Sequence, residues 1–185
     1  MTVIIDGTAG ITFPVVAGSA SAVQASSGRV LQVVSTTKTD SFSTSATSMA
    51  DVTGLSVSIT PSASTSKILV LLTLNLYGQN ANSGAAYQLV RGSTAIGIGD
   101  VAGSRPQASG SMAYIANADS STAISGSFLD SPSTTSSTTY KIQVVCGAAP
   151  NAGVAYVNRT QNDTNANNYY NARTASTITV MEIAA

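Results

Sequence analysis

The stretch KILVLLTLNLY (67–77) decides the fold. Every position from Ile68 to Leu72 is apolar, and then Leu72, Leu74 and Leu76 alternate with Thr73, Asn75 and Tyr77. A period of two is that of a strand, because successive side chains of extended backbone point to opposite sides. The apolar run ILVLL is far short of the roughly 20 residues that cross a bilayer, so no membrane insertion is expected. A strand that is apolar on both faces at one end suits the centre of a sheet. Two arrangements satisfy it: the strand lies between a partner sheet and another subunit, or it is the central core strand of a monomer.

Outward from this strand the chain breaks into short apolar or alternating runs set apart by Ser, Thr, Gly, Asn and Pro, the pattern of an antiparallel sandwich. Strands are predicted at 30–34, 49–53, 55–60, 67–77, 85–91, 94–100, 111–116, 122–130, 139–147, 153–158 and 176–183. Pro61 ends the strand before KILVLLTLNLY, since proline cannot donate to a ladder. Gly92-Ser93, between QLVR and TAIG, reads as a two-residue hairpin loop with glycine at positive φ. The polar zone 35–48, with Phe42 as its one anchor, and the loops 131–140 and 158–174 are read as connections too polar to pack. The predicted fold is an all-β antiparallel sandwich of about ten strands, with no helix.

Composition agrees. Charged residues make up 9% of the 185 residues, against roughly 25% in ordinary soluble domains. Acids and bases balance, which argues against nucleic acid or an anionic membrane as partner. Ser, Thr, Asn and Gly form over two fifths of the chain and supply the polar face. The length suits one domain, 29–185, preceded by a distinct segment, 1–28. That segment holds VIID, a DGTAG turn region, ITFPVV and the small-residue linker AGSASAVQASSG. It lacks the charged start and long apolar run of a secretory signal, so it is expected to be retained. At most it forms a tiny hairpin or an extended arm, which cannot be stable alone in water. Its Val3, Ile4, Ile5, Ile11 and Phe13 are therefore expected to meet a partner surface.

Catalytic chemistry finds little support. There is no His, so Ser-His-Asp and Cys-His arrangements are excluded. Lys38, Lys67 and Lys141 are read as solvated strand-edge residues. Asp100, Asp119 and Asp130 are read as turn caps. No calcium loop, zinc ligand set or phosphate loop occurs, GIGDVAG (97–103) being only a look-alike. No cofactor, metal or catalytic residue is assigned, and no enzyme activity is expected. Cys146, in KIQVVCG, is expected to be a buried free thiol. Asn158-Arg159-Thr160 and Asn162-Asp163-Thr164 are formal glycosylation sequons, read as backbone-capping asparagines. The loop carrying Asn162, Asp163, Asn165, Asn167, Asn168, Tyr169 and Tyr170 combines amides and a carboxylate with two aromatic rings, a set suited either to a sugar or another protein or to a subunit seam.

Taken together, VIIDGTAGITFP, GRVLQVVSTTKTDSFSTSATSMADVTGLSVSITPSASTSKILV, QLVRGSTAIGIGD, ISGSFLDSPSTTSSTTYKIQVVCG, YVNRTQND and RTASTITVMEI resemble a family of bacteriophage virion surface proteins, described variously as tail fibre, head fibre and capsid decoration proteins. The resemblance implies a jelly-roll sandwich similar to the tumour-necrosis-factor and complement heads, assembled as a homotrimer. It implies that the loops 131–140 and 158–174 lie near the subunit seam or the outer tip. Two roles follow as expectations. In the first, the trimer is made in the host bacterial cytoplasm, attaches to the major capsid protein through its N-terminal arm, and projects from the outer surface of the virion as a cap that aids host adsorption. In the second, it is a short tail fibre or fibre tip held by tail proteins, binding a host surface glycan through the Asn/Tyr loop.

Overall fold

The computed structural model describes residues 4–6, 10–12, 28–79, 84–112, 118–147 and 153–185. Thirteen strands run in chain order. Two short ones, β1 (Ile4–Asp6) and β2 (Gly10–Thr12), pair with each other, Ile5 opposite Ile11. The remaining eleven are β3 (Val30–Lys38), β4 (Phe42–Thr44), β5 (Ala50–Ile59), β6 (Lys67–Gly78), β7 (Ala85–Arg91), β8 (Thr94–Ile96), β9 (Gly110–Met112), β10 (Thr122–Asp130), β11 (Thr138–Cys146), β12 (Ala155–Val157) and β13 (Ser176–Ile183). They build two antiparallel sheets.

KILVLLTLNLY is β6, and it is central. β13 pairs with its first half and β12 with its last residues on one side, while β10 runs along the other. Outside β13 lies β3, and outside β12 lies β4. The second sheet has the order β5, β11, β7, with β8 and β9 sharing the far side of β7. The long strands alternate between the sheets along the chain, so that β3, β6, β10 and β13 fall in one and β5, β7 and β11 in the other. This is a jelly-roll sandwich. The expected all-β fold is therefore found, with eleven strands where about ten were predicted.

The core lies between the sheets. Ile68, Val70, Leu72, Leu74 and Leu76 of β6 point inward and are buried, facing Leu55, Val57, Ile59, Tyr87, Leu89, Tyr140, Ile142 and Val144 from the second sheet. Each such side chain, fully withdrawn from water, contributes about 1.5–3 kcal/mol. On its outer face β6 presents Leu69 and Leu71, the latter exposed. One apolar side of KILVLL thus makes the core and the other is open.

Several boundaries differ from the predicted ones for local reasons. The runs 49–53 and 55–60 form one strand, because Gly54 takes φ +81° within a bulge where the register against Lys141 and Gln143 shifts. TAIGIGD stops being a strand after Ile96, at Gly97 with φ +58°. The hairpin loop is as predicted: Arg91 pairs with Thr94 and Gly92 has φ +59°. In the polar zone, Phe42–Thr44 is a short strand held by β12. A single helical turn of the 3-10 type, Tyr169–Asn171, stands where no helix was expected.

The molecule has two ends. Gly28, where the described head begins, donates to the carbonyl of Ala184, beside the starts of β3 and β6. The loop before β11, residues 131–137, lies at this same pole, since Asp130 pairs with Ile68. The opposite pole, about 35 Å away along the twelve residues of β6, carries residues 158–175, because Ser176 pairs with Lys38 and Val157 with Leu76. The loops 131–140 and 158–174 therefore sit at opposite poles.

Candidate binding surfaces

The far pole is built around Asn158. Its side chain is fully buried and its backbone has φ +61°, a left-handed conformation that asparagine tolerates. Its Nδ2 donates to the carbonyls of Lys38 (2.8 Å) and Asp40 (3.0 Å), and its Oδ1 accepts from Ser176 Oγ (2.6 Å). One amide thus ties the end of β3 to the start of β13. The capping reading of this sequon is correct, since its amide nitrogen is spent inside the protein.

From there the loop is held by charge and rings. The Arg159 guanidinium lies 4.7 Å over the Tyr156 ring and donates to the carbonyls of Thr160 and Gln161. Asp163 pairs with Arg159 at 3.3 Å and with Arg173 at 2.7 Å. Asn162 donates to Asp119. Tyr156 leans on Tyr77, whose hydroxyl donates to Gln161. None of these was singled out from sequence as a loop-forming set. The signal available was the i,i+4 pair Arg159 and Asp163 in NRTQND; the third ionic partner, Arg173, lies outside that run.

Of the residues proposed as contacts in this loop, Tyr169 is 98% exposed, Tyr170 is also exposed, and Asn165 and Asn167 are open to solvent. Asn168 is not a free contact: its Oδ1 accepts from the backbone N–H of Asn171 and caps the helical turn. In the N-terminal segment, Ile4, Ile5 and Ile11 lie in the β1–β2 pair, while Val3 and Phe13 fall outside the described residues.

A second surface is the outer face of the first sheet. Its cross-strand rows run in register over four strands. Nearest the Gly28 pole, Val33, Met181, Leu69 and Leu129 form an apolar row. The next holds Ser35, Thr179, Leu71 and Ser127, and the third Thr37, Thr177, Thr73 and Ser125. Hydroxyls pair along the rows, Ser35 with Thr179 at 2.7 Å and Thr37 with Thr177 at 3.3 Å. These three rows carry no charge. Val33 and Leu129 are each more than half exposed, and Val30 and Leu31 extend the apolar area along β3.

The ionisable residues read as turn caps or edge residues prove otherwise in two cases. Lys38 closes β3, is buried, and reaches Asp40 at 2.7 Å; that bond holds the Asp40 carboxyl below its usual range. Asp130 is buried at the end of β10 and crosses to the other sheet, accepting from Arg91 Nη1 (2.8 and 2.9 Å) and from the Tyr140 hydroxyl (2.7 Å). Burial, reinforced by that carboxylate, pushes the Tyr140 hydroxyl far above the ordinary tyrosine range. Cys146 is buried as expected, and burial raises its thiol pKa, the opposite of what a reactive cysteine needs.

Among the described residues no group of three or more His, Cys, Asp or Glu could hold a metal ion, and no helix is long and apolar enough to cross a membrane. No protein-family model matches the chain, and no curated protein matches it.

Proposed function

We propose that this chain is a non-enzymatic structural protein of a bacteriophage virion, a homotrimer that decorates the outside of the capsid. The observation that carries this reading is the outer face of the first sheet. Three successive uncharged rows, one of them apolar across four strands, are unusual on a free surface and have the composition of a buried interface core, with Lys67 of β6 at the edge of the patch. Three copies meeting through it would bury Val33, Leu69, Leu129 and Met181, and the hydroxyl rows would continue the contact. The N-terminal segment, with Val3, Ile4, Ile5, Ile11 and Phe13, is the proposed attachment to the major capsid protein. The sequence resemblance and the jelly-roll fold support the same family of particle proteins.

The two poles support a directional arrangement, with Gly28, where the described head begins, at one end and the Asn/Tyr loop at the other. The exposed Tyr169 and Tyr170 at that far end favour a second reading, a tail-fibre tip that adheres to a host surface glycan. Immunogold labelling of intact particles separates the two: label over the head, with a copy number comparable to that of the major capsid protein, is the expected result. Sparse label confined to the tail would overturn decoration. A chain lacking residues 2–28 is expected to remain a trimer in solution and to fail to add to undecorated particles.

A further inference from the structure

A groove of about 830 Å3 runs over the outer face of the second sheet, the face not used by the proposed trimer. Ala86 and Gln88 of β7 and Val145 of β11 form its floor. Met49 stands on one side, and Ile98 and Gln107, from the connection between β8 and β9, on the other. Its size falls in the range of about 300–1,000 Å3 of small-molecule sites. No ionisable side chain lines it among the described residues. A charged ligand would be desolvated there without a counter-charge, so the lining selects a neutral one.

Two amides give that ligand its chemistry. Gln88 Nε2 donates to the Gln107 carbonyl at 2.8 Å, and Gln107 Nε2 donates to the Gly99 carbonyl at 2.6 Å. Each side chain is oriented by its own donor bond, and neither Oε1 accepts a hydrogen bond from a described residue. Amide oxygens with spare acceptor capacity, in a lining that also holds Met49, Ile98 and Val145, call for a ligand with hydroxyl donors and C–H faces. A peptide strand fits less well, because strand addition needs a sheet edge and this groove lies on a sheet face. The Asn/Tyr loop, in contrast, spends the amides of Asn158 and Asn162 on Lys38, Asp40 and Asp119 and that of Asn168 on its own helical turn. We propose that this groove is a binding site for a short neutral saccharide. The inference holds whether the trimer belongs to the head or the tail of a particle.

The test uses the full chain on a panel of immobilised neutral saccharides of one to several rings, with sialylated and sulfated counterparts. Binding to neutral members is expected. Ala86→Phe, which fills the floor, and Gln88→Leu, which removes one acceptor, should each weaken it about tenfold or more, the scale of one lost hydrogen bond or a blocked site. Thr65→Ala, in the exposed turn before β6, should leave it unchanged, and Tyr169→Ala with Tyr170→Ala tests the far-pole loop as the alternative site. In the unmodified protein, titration with the best-bound saccharide should move the Met49 methyl resonance and leave that of Met181 in place. The proposal is overturned if binding survives both groove variants, if only the tyrosine variants abolish it, or if only acidic saccharides bind. It is equally overturned if no saccharide binds at millimolar concentration and the Met49 resonance stays fixed.

Discussion

Glu182 shows how much one side chain can decide. It is the only Glu in the chain, lies on the inward face of β13, and is fully buried at the Gly28 pole. Burial by itself would raise its pKa. Ser62, through both its hydroxyl (2.6 Å) and its backbone N–H (2.7 Å), Gln32 Nε2 (2.6 Å) and Ser66 outweigh that and hold it down at about 2. A carboxyl depressed in the folded state stabilises the protein above its unfolded pKa of about 4.5 and loses that contribution as pH falls toward 2. The amount is on the order of 3 kcal/mol. Glu182→Gln should therefore lower the melting temperature at neutral pH. The gap between variant and parent should close between pH 4.5 and 2 in thermal unfolding scans. Asp130 makes a parallel case with neutral and charged partners. Asp130→Ala leaves the Tyr140 hydroxyl buried without its acceptor and Arg91 without its ion pair, a loss of about 2–3 kcal/mol in denaturant unfolding. Asp130→Asn, which keeps an acceptor for Tyr140, should cost less. Neither role was legible in the sequence. Residue type shows that a carboxylate is present, but the donors that employ it come from 120 and 150 residues away for Glu182, and only the fold brings them near.

At the scale of strands, legibility followed periodicity. AAYQLVR, TAISGSFLD and STITVMEI are strands with the predicted bounds, and their burial alternates along most of their length. Where the backbone itself departs from regular extension, alternation fails as a guide: Gly54 carries β5 through a bulge, and Gly97 ends β8 early. Phe42–Thr44 has too few residues to show a period and exists because β12 offers it a partner. The doubly apolar start of β6 was legible as a fact but not as a cause, since Leu69 and Leu71 look the same beneath a subunit or in a monomer. Substitution separates these. Val33→Lys with Leu129→Lys places two cations on the apolar row, and light scattering should report monomers in place of trimers. Val101→Lys, still more exposed but off this sheet, should leave the mass unchanged. A trimer that persists through the double substitution would remove the first sheet from the interface.

For the whole molecule, the decisive property is polarity along the strands. A jelly roll brings all its loops to two ends, and this chain places Gly28 and the 131–137 loop at one, and the 158–175 loop at the other. Sequence alone marked both loops as polar surface connections; their assignment to opposite ends depends on which strands pair, and pairing is set by contacts too distant in the chain to leave a local signal. If attachment runs through the N-terminal segment, the two loops differ in what they can tolerate. A short biotin-acceptor tag inserted after Thr134 lies at the attachment pole, and one inserted after Asn165 lies at the free pole. Thr134 is half-buried beside the exposed Thr135, Asn165 is exposed, and both lie in loops, so both proteins should fold with near-parental melting temperatures. On assembled particles the Asn165 tag should bind streptavidin at full occupancy, and the Thr134 tag should either be shielded or reduce incorporation of the protein. Equal labelling of both tags on intact particles would mean that the head lies on its side or hangs from another surface, and the axial arrangement would have to be given up.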